Sequence, residues 1–114
     1  MPFIKTMTNV KVSEETRARM FAQLGKDISI WPGKREEHLM LCIQDGCQMA
    51  HAGKTELPMA YVEVLLYGDR DVPEREQMTQ AITAMLQKEL GVAPLQAYIR
   101  YEISTQWAVG GRNL

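Results

Sequence analysis

At 114 residues the chain has room for one domain, and its 13 basic and 14 acidic residues, with no Lys/Arg run longer than two, argue against nucleic acid or an anionic membrane surface as partner. No stretch approaches the roughly 20 apolar residues of a membrane span, and no basic segment leads into an apolar one at the amino terminus. The expected location is the cytoplasm, with any secretion proceeding without a signal peptide.

The chain opens Met1-Pro2-Phe3-Ile4-Lys5. Cytosolic processing removes a starting Met before a small residue, and Pro qualifies. The mature chain would then begin with a secondary amine. An α-amino group titrates at roughly 7.7–8.0 before burial or a neighbouring cation lowers it, so such an amine can take and return protons near neutral pH. Pro2 to Met7 reads as a short strand, with turn chemistry at Thr8-Asn9. Ser13 is a helix N-cap, followed by Glu14 and Glu15 where the helix dipole favours acids. Phe21, Leu24 and Ile28 recur at helical spacing with Met20 and Trp31 flanking them, and Pro32-Gly33 ends the helix. Lys34 follows at the mouth of the next loop.

His38 to Gln44 is a near-continuous apolar run, the pattern of a strand covered on both faces. Asp45 to Pro58 reads as a long loop, and Ala60 to Tyr67 as the strongest strand. Gly68 to Asp71 turns the chain, and Pro73-Glu74 opens a second helix. Its apolar face is Met78, Ala81, Ile82, Met85 and Leu90, and Gly91 caps it. A last main strand is expected over Ala97–Ile103, with Trp107-Ala108-Val109 adding a short one before a polar tail.

Strand–helix–strand therefore occurs twice in one domain spanning 1–114, with pseudo-repeats at about 1–50 and 58–109. Two right-handed β-α-β units give an α+β, two-layer fold: a four-stranded mixed sheet with two helices on one face. The other sheet face then needs a cover. Because the strands at Leu39–Ile43 and Val62–Leu66 look apolar on both faces, the expected cover is another copy of the chain.

Cys42 and Cys47, with four residues between them and His38 and His51 nearby, fit no common zinc spacing. Cys42 reads as a buried structural thiol, and no metal or other cofactor is expected. No Ser/His/Asp or Cys/His arrangement and no Gly-rich phosphate loop is recognisable. What remains is a set at strand ends: Pro2, Lys34, Tyr67, Tyr98, Arg100 and Trp107. Cations and phenols around a secondary amine would hold a carboxylate and a keto or enol oxygen while the amine moves a proton at carbon. Each also has a structural role open to it: a solvated lysine, half-buried strand tyrosines, an arginine facing water, a tryptophan filling the core.

Pro2-Phe3-Ile4 with Thr8-Asn9-Val10, then Gly33-Lys34, Tyr67-Gly68, Tyr98-Ile99-Arg100-Tyr101 and Val109-Gly110, resembles the macrophage migration inhibitory factor and D-dopachrome tautomerase family of the tautomerase superfamily. The resemblance spans essentially the whole chain. It implies a trimer of duplicated β-α-β units with active sites at subunit interfaces. It also implies an isomerase of the phenylpyruvate tautomerase or dopachrome isomerase type, acting on aromatic 2-oxo acids. Pro2 matches the general base, Lys34 the substrate-contacting lysine with the Tyr67 backbone beside it, and Tyr98 a tyrosine supplied by the neighbouring subunit. Arg100 stands where the migration inhibitory factor branch has asparagine, and with Trp107 it resembles the D-dopachrome branch, so the site is a hybrid. The Cys-x-x-Cys of mammalian members is absent, Leu57-Pro58-Met59-Ala60 lying in its region, and thiol oxidoreductase activity does not carry over. Two alternatives stay open: a cytokine-like ligand for a receptor with vestigial catalysis, and another superfamily reaction on a small unsaturated acid, for which Arg100 would be a second carboxylate binder.

Overall fold

The structure, a computed structural model, describes residues 1–114. Its main sheet has the order β2-β1-β3-β4, from β1 (Pro2–Thr8), β2 (Met40–Gln44), β3 (Ala60–Tyr67) and β4 (Ala97–Ser104). β1 runs parallel to β2 and antiparallel to β3, and β3 runs parallel to β4. Helices α1 (Glu14–Asp27) and α2 (Arg75–Leu90) lie on one face of this mixed sheet, in an α+β fold. A short hairpin, β5 (Ala108–Val109) with β6 (Arg112–Asn113), follows β4. The polar tail thus forms a strand that its composition does not announce.

Strict alternation decides which side chains meet the helices. Ile4, Thr6 and Thr8 of β1 and Ala60, Val62, Val64 and Leu66 of β3 point to the helix side and are buried. They pack against Met20, Leu24, Ile28 and Trp31 from α1 and the turn after it, and against Met78, Ile82, Met85, Leu86 and Leu90 of α2. Each fully buried side chain of this size contributes about 1.5–3 kcal/mol relative to exposure. Leu86 belongs to this core although the expected apolar face omitted it, whereas Phe21 is only half-buried. The carboxamide of Asn9 fixes the far end of β1, donating to Leu57 O (2.8 Å) and accepting from Met59 N (2.9 Å). The Thr8 hydroxyl adds a bond to Met59 O.

Three local expectations need correction. α1 stops at Asp27 and continues as a 3₁₀ turn, Ile28–Ile30, which keeps Ile28 buried while changing the backbone. The strand expected from His38 begins at Met40, because Glu36–His38 form a 3₁₀ turn. β2 is also an edge strand with alternating exposure, so Cys42 lies exposed on its outer face and is not a buried thiol.

The sheet face away from the helices carries three rows of side chains in register. They are Met40, Phe3, Leu65 and Glu102; then Cys42, Lys5, Glu63 and Arg100; then Gln44, Met7, Tyr61 and Tyr98. β3 is therefore apolar on its helix side but carries Glu63 on the other.

The cap of α2 yields a stability prediction. Ser13 caps α1 through a bond from Thr16 N, and Gly91 ends α2 at φ 68°, accessible to Gly at little cost. Gly91→Ala should destabilise the fold by about 1 kcal/mol. Urea unfolding of the two proteins measures it, and equal midpoints with equal slopes would contradict the cap's role.

Candidate active site

Pairing on both sides holds the first residues of β1. Pro2 is opposite Leu66, and Phe3 is opposite both Met40 and Leu65. The Met1 carbonyl accepts a hydrogen bond from Tyr67 N at 3.0 Å, which brings the amino terminus to the end of β3. Lys34 reaches the same point from the loop after Pro32-Gly33, where Gly33 takes φ 81°. Its ammonium donates to Tyr67 O at 2.6 Å and lies 5.8 Å from the Tyr67 ring centroid. Burial lowers the Lys34 pKa below the ordinary lysine value. Burial, and secondarily the charge of Lys34, likewise lowers the Met1 α-amine below its usual 8.0. The environment thus favours the free base at the chain's start.

Beside Pro2 opens a mainly apolar cavity of about 410 Å³, lined among others by Phe3, Met40, Leu65 and Trp107, with His38 at its wall. That is room for one aromatic ring with a short polar arm. The structure therefore brings Pro2, Lys34, Tyr67 and Trp107 to one end of the sheet.

Tyr98 and Arg100 lie elsewhere. Pro2 is in register with Leu66, whereas Tyr98 is in register with Tyr61, roughly 16 Å back along β3 at about 3.3 Å per residue. Tyr98 is 63% exposed on the open face of β4. Arg100 lies on that face too, paired with Glu102 at 3.3 Å. No side chain of this chain carries either residue to Pro2. A second copy would have to supply them.

The two histidines separate in the same way. His38 faces the Pro2 cavity, while His51 sits with Tyr98, its Nε2 3.0 Å from the Tyr98 hydroxyl. No group of three or more His, Cys, Asp or Glu side chains could hold a metal ion. No helix is long and apolar enough to cross a membrane. Sequence reasoning missed His51 and the apolar wall of Met40 and Leu65. His51 lies in a loop without periodicity, and the wall is assembled from register.

Comparison with known proteins gives a consistent answer. The family model described as macrophage migration inhibitory factor matches residues 1–113. A search of curated protein sequences finds no match. Among solved structures, Leishmania major MIF2 is 29% identical, with all of this chain and 97% of that one covered at a TM-score of 0.91. A migration inhibitory factor homologue from Prochlorococcus marinus is 24% identical, with 96% of each chain covered at a TM-score of 0.79. The Toxoplasma gondii protein, at 18% identity, 98% and 99% coverage and a TM-score of 0.84, shares the fold.

The charge coupling at the amino terminus can be measured directly. Lys34→Ala removes a cation that lowers the α-amine, so the amine's titration midpoint should rise. The pH dependence of its acylation rate in the Met1-bearing chain reports this, and an unchanged or lower midpoint would refute the coupling.

Proposed function

Since the chain belongs to the macrophage migration inhibitory factor family, we propose that its processed form is a tautomerase. It interconverts the keto and enol forms of phenylpyruvate- or dopachrome-like aromatic 2-oxo acids. The observation that carries this reading is the Pro2 end of the sheet. There the start of the chain lines an apolar, ring-sized cavity, and Lys34 is hydrogen-bonded to the adjacent end of β3 at Tyr67 O.

Removal of Met1 turns the Pro2 nitrogen from a tertiary amide without a usable lone pair into a secondary amine. That amine takes a proton from the carbon next to the substrate carbonyl and returns it to the enolate oxygen, or the reverse. Lys34 spends one of its three N–H donors on Tyr67 O and offers the others to the substrate's carboxylate or oxygen. The ring lies against Trp107 and the apolar wall. Tyr98 and Arg100 complete the site from a neighbouring copy, the phenol on the aromatic side and the guanidinium on a carboxylate. The proposed assembly is a homotrimer with a site at each interface. It is supported by the offset of roughly 16 Å along the strands between the Pro2 and Tyr98 positions of one chain and by a sheet face that neither helix covers.

Arg100 also supports a second reading, the hydration, dehalogenation or decarboxylation of a small unsaturated acid. A panel of such acids, assayed beside enol-phenylpyruvate, separates the two by relative kcat/KM.

Pro2→Gly in processed protein should lower kcat/KM for enol-phenylpyruvate at least 100-fold, the lower end of what general acid–base catalysis contributes, roughly 10²–10⁴. Equal rates would remove Pro2 from the mechanism. Protein shown by intact mass to retain Met1 should be nearly inactive. Sedimentation at micromolar concentration should give a trimer, and a stable monomer would overturn the shared-site proposal.

A further inference from the structure

Tyr98 is largely exposed, yet its hydroxyl is already committed within the chain. His51 Nε2 lies 3.0 Å from it, and the two rings meet edge to face at 5.1 Å between centroids. His51 is itself held on both sides. Its Nδ1 is 2.8 Å from Gln96 Oε1, and Gln96 ends the 3₁₀ turn Pro94–Gln96 that leads directly into β4. Its backbone forms a two-residue hairpin with Lys54, closed by bonds of 2.9 and 3.0 Å. Ala52 and Gly53 take φ 53° and 76° in that turn, the positive values such tight turns require. Ala52 is the one residue other than glycine with positive φ.

We propose that His51 is a positioning residue for Tyr98: it fixes the phenol ring and, by gaining or losing a proton, decides whether the phenol is offered to substrate as a hydrogen-bond donor. The direction follows from the partners. A carboxamide oxygen can only accept, so Nδ1 carries the hydrogen and, in the neutral ring, Nε2 is the acceptor. Tyr98 then donates its hydrogen to Nε2 and presents only lone pairs outward. When His51 is protonated, Nε2 becomes a donor, the phenol oxygen accepts from it, and the phenolic hydrogen swings free. A carboxylate or enolate oxygen needs that donor. Histidine is the side chain whose charge ordinarily changes between about pH 5 and 8, so substrate binding at the Tyr98 side should tighten toward acid.

Charged groups on the surrounding elements include Lys54, across the hairpin, Asp45 and Glu56 in the same loop, and Arg100, the next outward residue of β4, which Glu102 partly neutralises. The other titratable side chains there are Tyr98 itself, Tyr61 beside it on β3, and Cys47 in the same loop as His51.

The inference rests on Tyr98 facing a substrate in the assembled protein, so its test must not depend on turnover. Two measurements decide it. Long-range proton–nitrogen spectra of the two imidazoles, assigned with His38→Gln, should show neutral His51 protonated at Nδ1. A ring protonated at Nε2 would mean that the phenolic hydrogen is already free, and would overturn the proposal. The second measurement is the Kd of benzoylformate, an aromatic 2-oxo acid with no proton to lose, followed by tryptophan fluorescence in the processed protein. From pH 8 to 5.5 the wild-type Kd should fall about fivefold more than that of His51→Gln, the factor expected from one hydrogen bond of about 1 kcal/mol. His51→Gln can still bond to Tyr98 but does not titrate. Tyr98→Phe should match His51→Gln, and the double variant should go no further. Pro2 and Lys34 titrate alike in all four proteins and cancel. Identical slopes in wild type and His51→Gln, or no binding at all, would sink the proposal. Binding with the expected slopes but without turnover of enol-phenylpyruvate would leave His51 in place and remove the tautomerase reading.

Discussion

The pairing of β1 on both sides from its first residues is the constraint on which the rest depends. Chain termini ordinarily fray, but here Phe3 is in register with β2 and β3 together and the Met1 carbonyl is bonded to Tyr67. A proline inside a paired strand would cost a ladder bond, whereas at the first position of a strand it costs little. The sheet therefore accepts proline at the one place where the chain's own nitrogen can become a reactive group. The same register puts Tyr67, and through it Lys34, at that nitrogen. The geometry of the proposed site and the strand pairing are one feature.

The open sheet face adds a second constraint. Its outer rows are largely apolar or aromatic, but the middle row holds Lys5, Glu63 and Arg100. Glu63 lies in register between two cations. Burying such a row under another copy is tolerable only if the charges remain paired or wet. The sequence pattern pointed to a greasy sheet face needing a greasy cover. The structure has instead a face whose centre is charged, which suits an assembly enclosing a hydrated centre better than one with a dry core.

How far the sequence could be read depends on the range of the forces involved. The bounds of β3 are legible, because a preceding Pro58 and a following Gly68 act locally, but its faces are not, since Glu63 interrupts an otherwise apolar run on the open side. Nor is the end of α1, since Ile28 and Trp31 continue the apolar period after the backbone has tightened to 3₁₀. The start of β2 is not legible, because His38 and Leu39 run smoothly into its apolar stretch. The exposure of Cys42 is not legible either, because nothing in a strand's own residues says whether it lies at a sheet edge. β6 was missed because its residues are polar. At the site, Pro2 and Lys34 were singled out by chemistry and resemblance, not by spacing, and long-range register alone shows that Tyr98 stands at the other end.

That separation is informative in its own right. If the two ends of β3 serve one site, the serving residues belong to different copies, and each copy is both donor and acceptor. β2 and β4 are the two edges of the sheet. In the proposed trimer, the β4 side of one copy meets the Pro2 side of the next. Such a heterologous contact either closes into a ring or propagates without limit. Closure then becomes a condition for every site to be complete at once. Substrate affinity is thereby tied to assembly, and a residue such as His51, far from Pro2 in its own chain, acts on the chemistry of its neighbour.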